Sequence, residues 1–170
     1  MLRSSIHEER LLSLFILIGR FVRGDESERE KAYNLYLNNT RFINNWDLVD
    51  ASAGHIVGAF LADKEKAPLY RLAASKSLWE RRVAIISTFY FIRQNKFSEI
   101  LKISEELLSD KEDLIHKAVG WMLREVGKRD LQTEEKFLKR HYKKMPRTML
   151  RYAIERFPES KRQDYLKGRV

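Results

Sequence analysis

Ile115-His116-Lys117-Ala118-Val119-Gly120-Trp121-Met122-Leu123-Arg124-Glu125-Val126-Gly127-Lys128 decides the class of fold. Ile115, Ala118, Val119, Met122 and Val126 recur at intervals of three and four residues, which is the spacing of one face of an α-helix. Gly127 then supplies a stop. The same periodicity continues on both sides and predicts helices at about 5–22, 27–40, 48–62, 66–75, 78–93, 97–108, 112–127, 131–142, 146–156 and 159–167. Three prolines and seven glycines are few for 170 residues, and they fall between these segments. Arg23-Gly24-Asp25, Ala67-Pro68 and Met145-Pro146 read as breaks, with Ser27, Asp47, Ser98 and Thr133 as helix caps.

The fold class expected is therefore all-α, in antiparallel helix pairs joined by short turns. Such pairs suit a bundle or a superhelical solenoid of HEAT-like or ARM-type repeats. The length fits a single helical repeat domain, 1–170.

Composition narrows the function. The chain has no Cys, so disulfides, iron–sulfur clusters and thiolate zinc sites are excluded. There is no glycine-rich phosphate loop, nucleophile elbow or HExxH, and the four His lack ligand spacing, so neither metal nor cofactor is expected. No window approaches the roughly 18–20 apolar residues of a membrane span. A soluble, cytoplasmic protein is the expectation.

Lys and Arg outnumber Asp and Glu by 33 to 24. Residues 136–170 hold twelve of the cations against Glu155, Glu159 and Asp164, and the rest of the chain balances at 21 to 21. The excess is thus local and could form a patch for a polyanion.

Four constellations carry possible chemistry. In Asn44-Asn45-Trp46-Asp47-Leu48-Val49-Asp50, two carboxylates and an indole crowd one helix start. If Asp47 is the cap, Trp46 is a hydrophobic staple and Asp50 answers the helix dipole. If the helix begins at Asn45 or earlier, Trp46 and Asp50 face the same spot. In Leu78-Trp79-Glu80-Arg81-Arg82, position 82 falls on an apolar stripe with 78, 85, 86 and 89. A guanidinium there needs an anion, either Asp50 or a phosphate, whereas Arg81 lies off the stripe and reads as solvated.

On the quoted helix, Lys117, Trp121, Arg124 and Lys128 share a face outside the core stripe. Cations around an indole suit a nucleic acid better than a core, and Gly120 would admit a backbone or a ligand. Finally, Pro146, Arg147, Thr148 and Arg151 read as a helix start able to meet a phosphate, or as an exposed terminal pair.

Taken in order, Trp46-Asp47-Leu48-Val49-Asp50, Trp79 with Arg82, and Lys117-Ala118-Val119-Gly120-Trp121-Met122-Leu123-Arg124-Glu125 resemble the AlkD-type family of DNA alkylation-repair glycosylases. Ser5-Ile6-His7-Glu8-Glu9-Arg10 and Met145-Pro146-Arg147 are similar too, so the likeness spans nearly the whole chain. It implies a superhelix of HEAT-like repeats with a concave, cationic channel for duplex DNA. It also implies hydrolysis of the N-glycosidic bond of cationic N3- or N7-alkylated purines, with Asp50 as catalytic carboxylate. Trp46 and Trp121 would flank the sugar, Arg82 would hold the site and the backbone, and Arg124 would contact phosphate.

The resemblance begins where relatives already have two or three helices behind them. An N-terminal portion is therefore expected to be missing, leaving an apolar face on the first helix and inviting self-association. Two other readings stay open: a truncated or degenerate HEAT-like module that binds DNA without cutting, and a protein-binding scaffold with an incidental basic tail.

Overall fold

The computed structural model describes residues 1–170 and is all-α, without a strand. The chain packs as two compact units, Met1–Tyr90 and Phe91–Val170. No helix is long and apolar enough to cross a membrane.

The first unit runs α1 (His7–Arg23), α2 (Glu26–Leu37), a 3-10 turn (Thr40–Phe42), α3 (Trp46–Ala53), a π-helical turn (Gly54–Gly58), α4 (Ala67–Ala73) and α5 (Leu78–Ser87). Leu14, Tyr36, Leu48, Ile56, Leu69 and Ile85 are fully buried and form its core. The short α6 (Phe89–Ile92) follows. The second unit holds α7 (Ser98–Glu106), α8 (Asp113–Gly127), α9 (Leu131–His141), α10 (Arg147–Ala153), a 3-10 turn (Ile154–Arg156) and α11 (Glu159–Leu166). Ile115, Ala118, Val119, Met122 and Val126, the stripe that sets the class of fold, have no exposed surface at all.

The caps differ from the sequence expectation. Asp25, Asn45 and Asp130 cap α2, α3 and α9, accepting from Glu28 N (2.9 Å), Trp46 N (2.7 Å) and Thr133 N (3.0 Å). Ser27, Asp47 and Thr133 lie inside the first turns instead, and Phe97 precedes α7 where Ser98 was the candidate. At Asp25 and Asp130 a carboxylate upstream of a hydroxyl takes the cap because it is the stronger acceptor at the positive end of the dipole.

The expected single helix 78–93 is broken at Thr88. Ser87 Oγ donates to Val83 O at 2.6 Å and Thr88 Oγ1 to Ile85 O at 2.6 Å. Successive hydroxyls bonding back to helix carbonyls compete with the backbone ladder and end α5.

Close packing against neighbouring backbone leaves no room for a Cβ at Gly58 or Gly120. A Cβ on Gly58 would stand 2.2 Å from Ser87 O, and one on Gly120 would stand 2.4 Å from Met149 O and 2.5 Å from Tyr152 Cβ. Gly120 therefore admits the backbone of α10, which settles that expectation in favour of backbone over ligand.

Candidate active site

With Asn45 as its cap, α3 begins at Trp46, so Trp46 and Asp50 stand four residues apart within one helix and on one face. The helix thus starts one residue later than the Asn45 start the sequence reading required, with Trp46 as its first residue and Asp50 one turn on. Trp46 is 54% exposed, an unusual position for an indole in a folded chain.

Asp50 meets Arg82 of α5 in a two-pronged pair. Arg82 Nε donates to Asp50 Oδ1 at 2.8 Å and Nη2 to Oδ2 at 2.7 Å, with the side chains 6% and 16% exposed. Arg82 thus finds its anion in the protein, at the apolar-stripe position where leucine would fit. Burial pushes the Asp50 carboxyl above the usual aspartate value, Arg82 pulls it back, and the neighbouring Asp47 charge raises it further.

The supports of this pair come from distant parts of the first unit. His7 Nε2 lies 2.6 Å from Asp47 Oδ2, tying α1 to the start of α3. Glu80 accepts from Thr40 Oγ1 at 2.8 Å and from Ser75 Oγ, which anchors the 3-10 turn ahead of α3 to the helix carrying Arg82. Behind α3, Tyr36 Oη and Ser52 Oγ are 3.0 Å apart, and Ser52 Oγ donates to Leu48 O at 2.5 Å. Arg81 is bonded to the turn, its Nη1 donating to Ser75 O at 3.0 Å and Lys76 O at 3.1 Å, where solvation was expected. Apart from the Ser52–Leu48 bond within α3, these contacts join residues on different elements and are not readable from helical spacing.

In the second unit, Trp121 is half-buried on α8 and its Nε1 donates to Glu125 Oε1 at 3.1 Å. Lys128 Nζ reaches the same oxygen at 2.6 Å. Glu125, absent from the candidate set, therefore fixes both. Lys117 pairs with Asp113 at 2.8 Å, and Arg124 pairs with Glu155. All three cations predicted around Trp121 have a carboxylate partner, so the face is less positive than its spacing suggests.

The helix start at Pro146 departs from expectation in a similar way. Pro146 is the cap and Arg147 the first helical residue of α10. Arg147 Nη1 donates to Leu166 O at 2.6 Å, and Thr148 bonds to the carboxylate of Asp113, which Lys117 and Thr148 together hold below the usual aspartate value. Arg147 and Thr148 are engaged within the protein, whereas Arg151 is exposed. Exposed cations are instead plentiful on and just after α9, at Lys136, Lys139, Arg140, Lys143 and Lys144. No cluster of three or more His, Cys, Asp or Glu with metal-binding geometry occurs.

A family model described as DNA alkylation repair enzyme matches residues 1–157. No curated protein matches the chain. Among solved structures, one described as a predicted DNA alkylation repair enzyme from Enterococcus faecalis is 19% identical, with a TM-score of 0.71 over 92% of this chain and 72% of that one. At that identity the likeness speaks for the fold, and the match along the sequence speaks for the family. The chain belongs to the DNA alkylation repair enzyme family.

Proposed function

We propose that the protein is a DNA glycosylase that hydrolyses the N-glycosidic bond of cationic N3- or N7-alkylated purines in duplex DNA. The observation that carries this reading is the Asp50 carboxylate, oriented by a nearly buried Arg82 and set one helical turn from the exposed indole of Trp46. An alkylated purine already bears a positive charge, so its departure needs no proton from the enzyme. The C1′–N bond breaks with its electron pair going to the base, which leaves neutral, and an oxocarbenium-like sugar remains.

Asp50 stabilises that cation and accepts the proton of the water whose oxygen bonds to C1′. A carboxylate has about four lone-pair directions, and Arg82 occupies two, so two remain for water. Trp46 offers its exposed face to the sugar. The family resemblance gives Trp121, held by Glu125, the role of a second indole against the sugar, and gives Lys117, Arg124, Lys128, Arg147, Thr148 and Arg151 the role of contacts to the DNA backbone. Those among them now paired with carboxylates exchange partners when phosphate arrives. A second copy of the chain is a further partner on this reading.

One observation favours the alternative, a HEAT-like module that binds DNA without catalysis: Arg82 engages both oxygens of Asp50, as a purely structural ion pair would. The test incubates the protein with a duplex carrying N7-methylguanine or N3-methyladenine and follows release of free base. Release that is lost in Asp50→Asn supports the glycosylase. DNA binding without release by the wild-type protein supports the binding module.

A further inference from the structure

We propose that α1 is the interface of a two-fold homodimer, pairing antiparallel with α1 of a second copy. Leu14, Leu17 and Phe21 are buried on one side of this helix. On the opposite side Leu12, Phe15, Ile16 and Val22 are between 49% and 62% exposed. At 3.6 residues per turn, Glu8, Leu12, Phe15, Ile16, Gly19, Val22 and Arg23 fall within an arc of about 120°. Glu8, Leu12, Phe15, Gly19 and Val22 follow one another at spacings of four and three, which is the seam of a coiled coil. The helix is thus built to be covered twice, once by its own core and once from outside.

The order of residues along the seam selects the occupant. An antiparallel pair centred between Phe15 and Ile16 sets Leu12 of one copy opposite Gly19 of the other, a large side chain over the smallest. It sets Phe15 opposite Ile16, so the centre is wholly apolar. At the ends it brings Glu8 against Arg23, a pair of opposite charges repeated by the two-fold axis. Glu8 and Arg23 are both exposed; Arg23 lies back along its own helix, Nε donating to Gly19 O at 3.1 Å, and has only to swing outward. A parallel pair would set Glu8 beside Glu8 and Arg23 beside Arg23.

Four half-exposed side chains, Leu12, Phe15, Ile16 and Val22, of about 150–200 Å² each make an apolar patch of roughly 350 Å², the size of the largest patch on a typical monomer, which is often functional. Doubled across the axis and rimmed by charges, it approaches the lower bound of about 1,200 Å² for specific interfaces. An interface at this low end belongs to the weak, reversible class, for which a dissociation constant on the order of micromolar is the expectation.

The experiment is sedimentation equilibrium of the full chain from about 1 to 100 µM, spanning that constant. Phe15→Glu is expected to weaken association at least roughly a hundredfold by burying charge at the centre, with an unchanged thermal transition because the residue is exposed in the monomer. Glu8→Arg is expected to weaken it by roughly three- to tenfold, since two exposed ion pairs become repulsive. Glu8→Arg combined with Arg23→Glu restores wild-type association. Any of three results overturns the proposal: a chain that stays monomeric throughout, a dimer indifferent to Phe15→Glu, or a double charge reversal that associates no better than Glu8→Arg alone.

Discussion

Asp50→Asn is the most informative single change, because the pair with Arg82 makes it act on chemistry and on stability together. Removing the charge leaves a guanidinium that is only 6% exposed facing an amide that can accept one hydrogen bond where the carboxylate accepted two. Losing one member of a buried ion pair typically costs about 3–5 kcal/mol; the partial exposure of Asp50 and the remaining acceptor reduce this to about 2–4 kcal/mol. At roughly 2–4 °C per kcal/mol for a chain of this size, the melting temperature falls by about 5–15 °C.

Base release, measured well below that transition, falls by at least about a hundredfold, the scale of losing one electrostatic contact to a developing charge. Asp50→Asn with Arg82→Met removes the stranded cation too, and it recovers stability to within about 1 kcal/mol without recovering base release. Calorimetry on the two variants beside the excision assay separates a folding defect from a chemical one. Wild-type release by Asp50→Asn, or a melting temperature equal to wild type, would refute the reasoning.

Other outcomes follow from neighbouring features. Because Asp50 titrates above the usual aspartate value and Asp47 contributes to that rise, base release should fall as acid protonates Asp50; Asp47→Asn should move this limb of the pH–rate profile to lower pH. Glu134, 2% exposed with Oε1 unbonded, is pushed up to about 8 by burial. A folded-state value above the unfolded 4.5 makes its stabilising contribution complete in acid and lost as pH rises toward 8, so wild type weakens between about pH 5 and 8 by up to about 4–5 kcal/mol relative to Glu134→Gln. Urea titrations of both proteins at several pH values check this, and parallel curves count against it. Gly120→Ala places a methyl group 2.4 Å from Met149 O and should cost at least about 2 kcal/mol by the same titration.

What the sequence discloses here follows physical range. The stripe from Ile115 to Val126 is a local pattern, and the burial of every member follows from helical spacing alone. Arg82 was legible as a residue in need of an anion, since a guanidinium on an apolar stripe admits few explanations. The bonds that hold the site are a different matter. His7 with Asp47 and Glu80 with Thr40 join residues forty positions apart, a distance over which periodicity says nothing. Of the partners that neutralise the cations around Trp121, Asp113 and Glu125 stand four and three residues from Lys117 and Lys128 and were open to the same helical spacing, whereas Glu155 meets Arg124 from another element. The caps of α2, α3 and α9 lie two to three residues from the sequence reading because several oxygen-bearing side chains compete at each of these starts, and only the folded backbone decides among them.

The π-helical turn at Gly54–Gly58 has a consequence for how this segment can change. Each bond in such a turn spans one residue more than an α-helical bond, while an α-helix advances about 100° per residue. The direction of Asp50 around α3 and the seating of Gly58 against Ser87 O are therefore locked to each other by chain length between them. Deleting one residue from that interval would let the helix close into regular geometry and swing either the carboxylate away from Arg82 or Gly58 off its contact. Across these few positions the number of residues is held as firmly as the glycine at position 58.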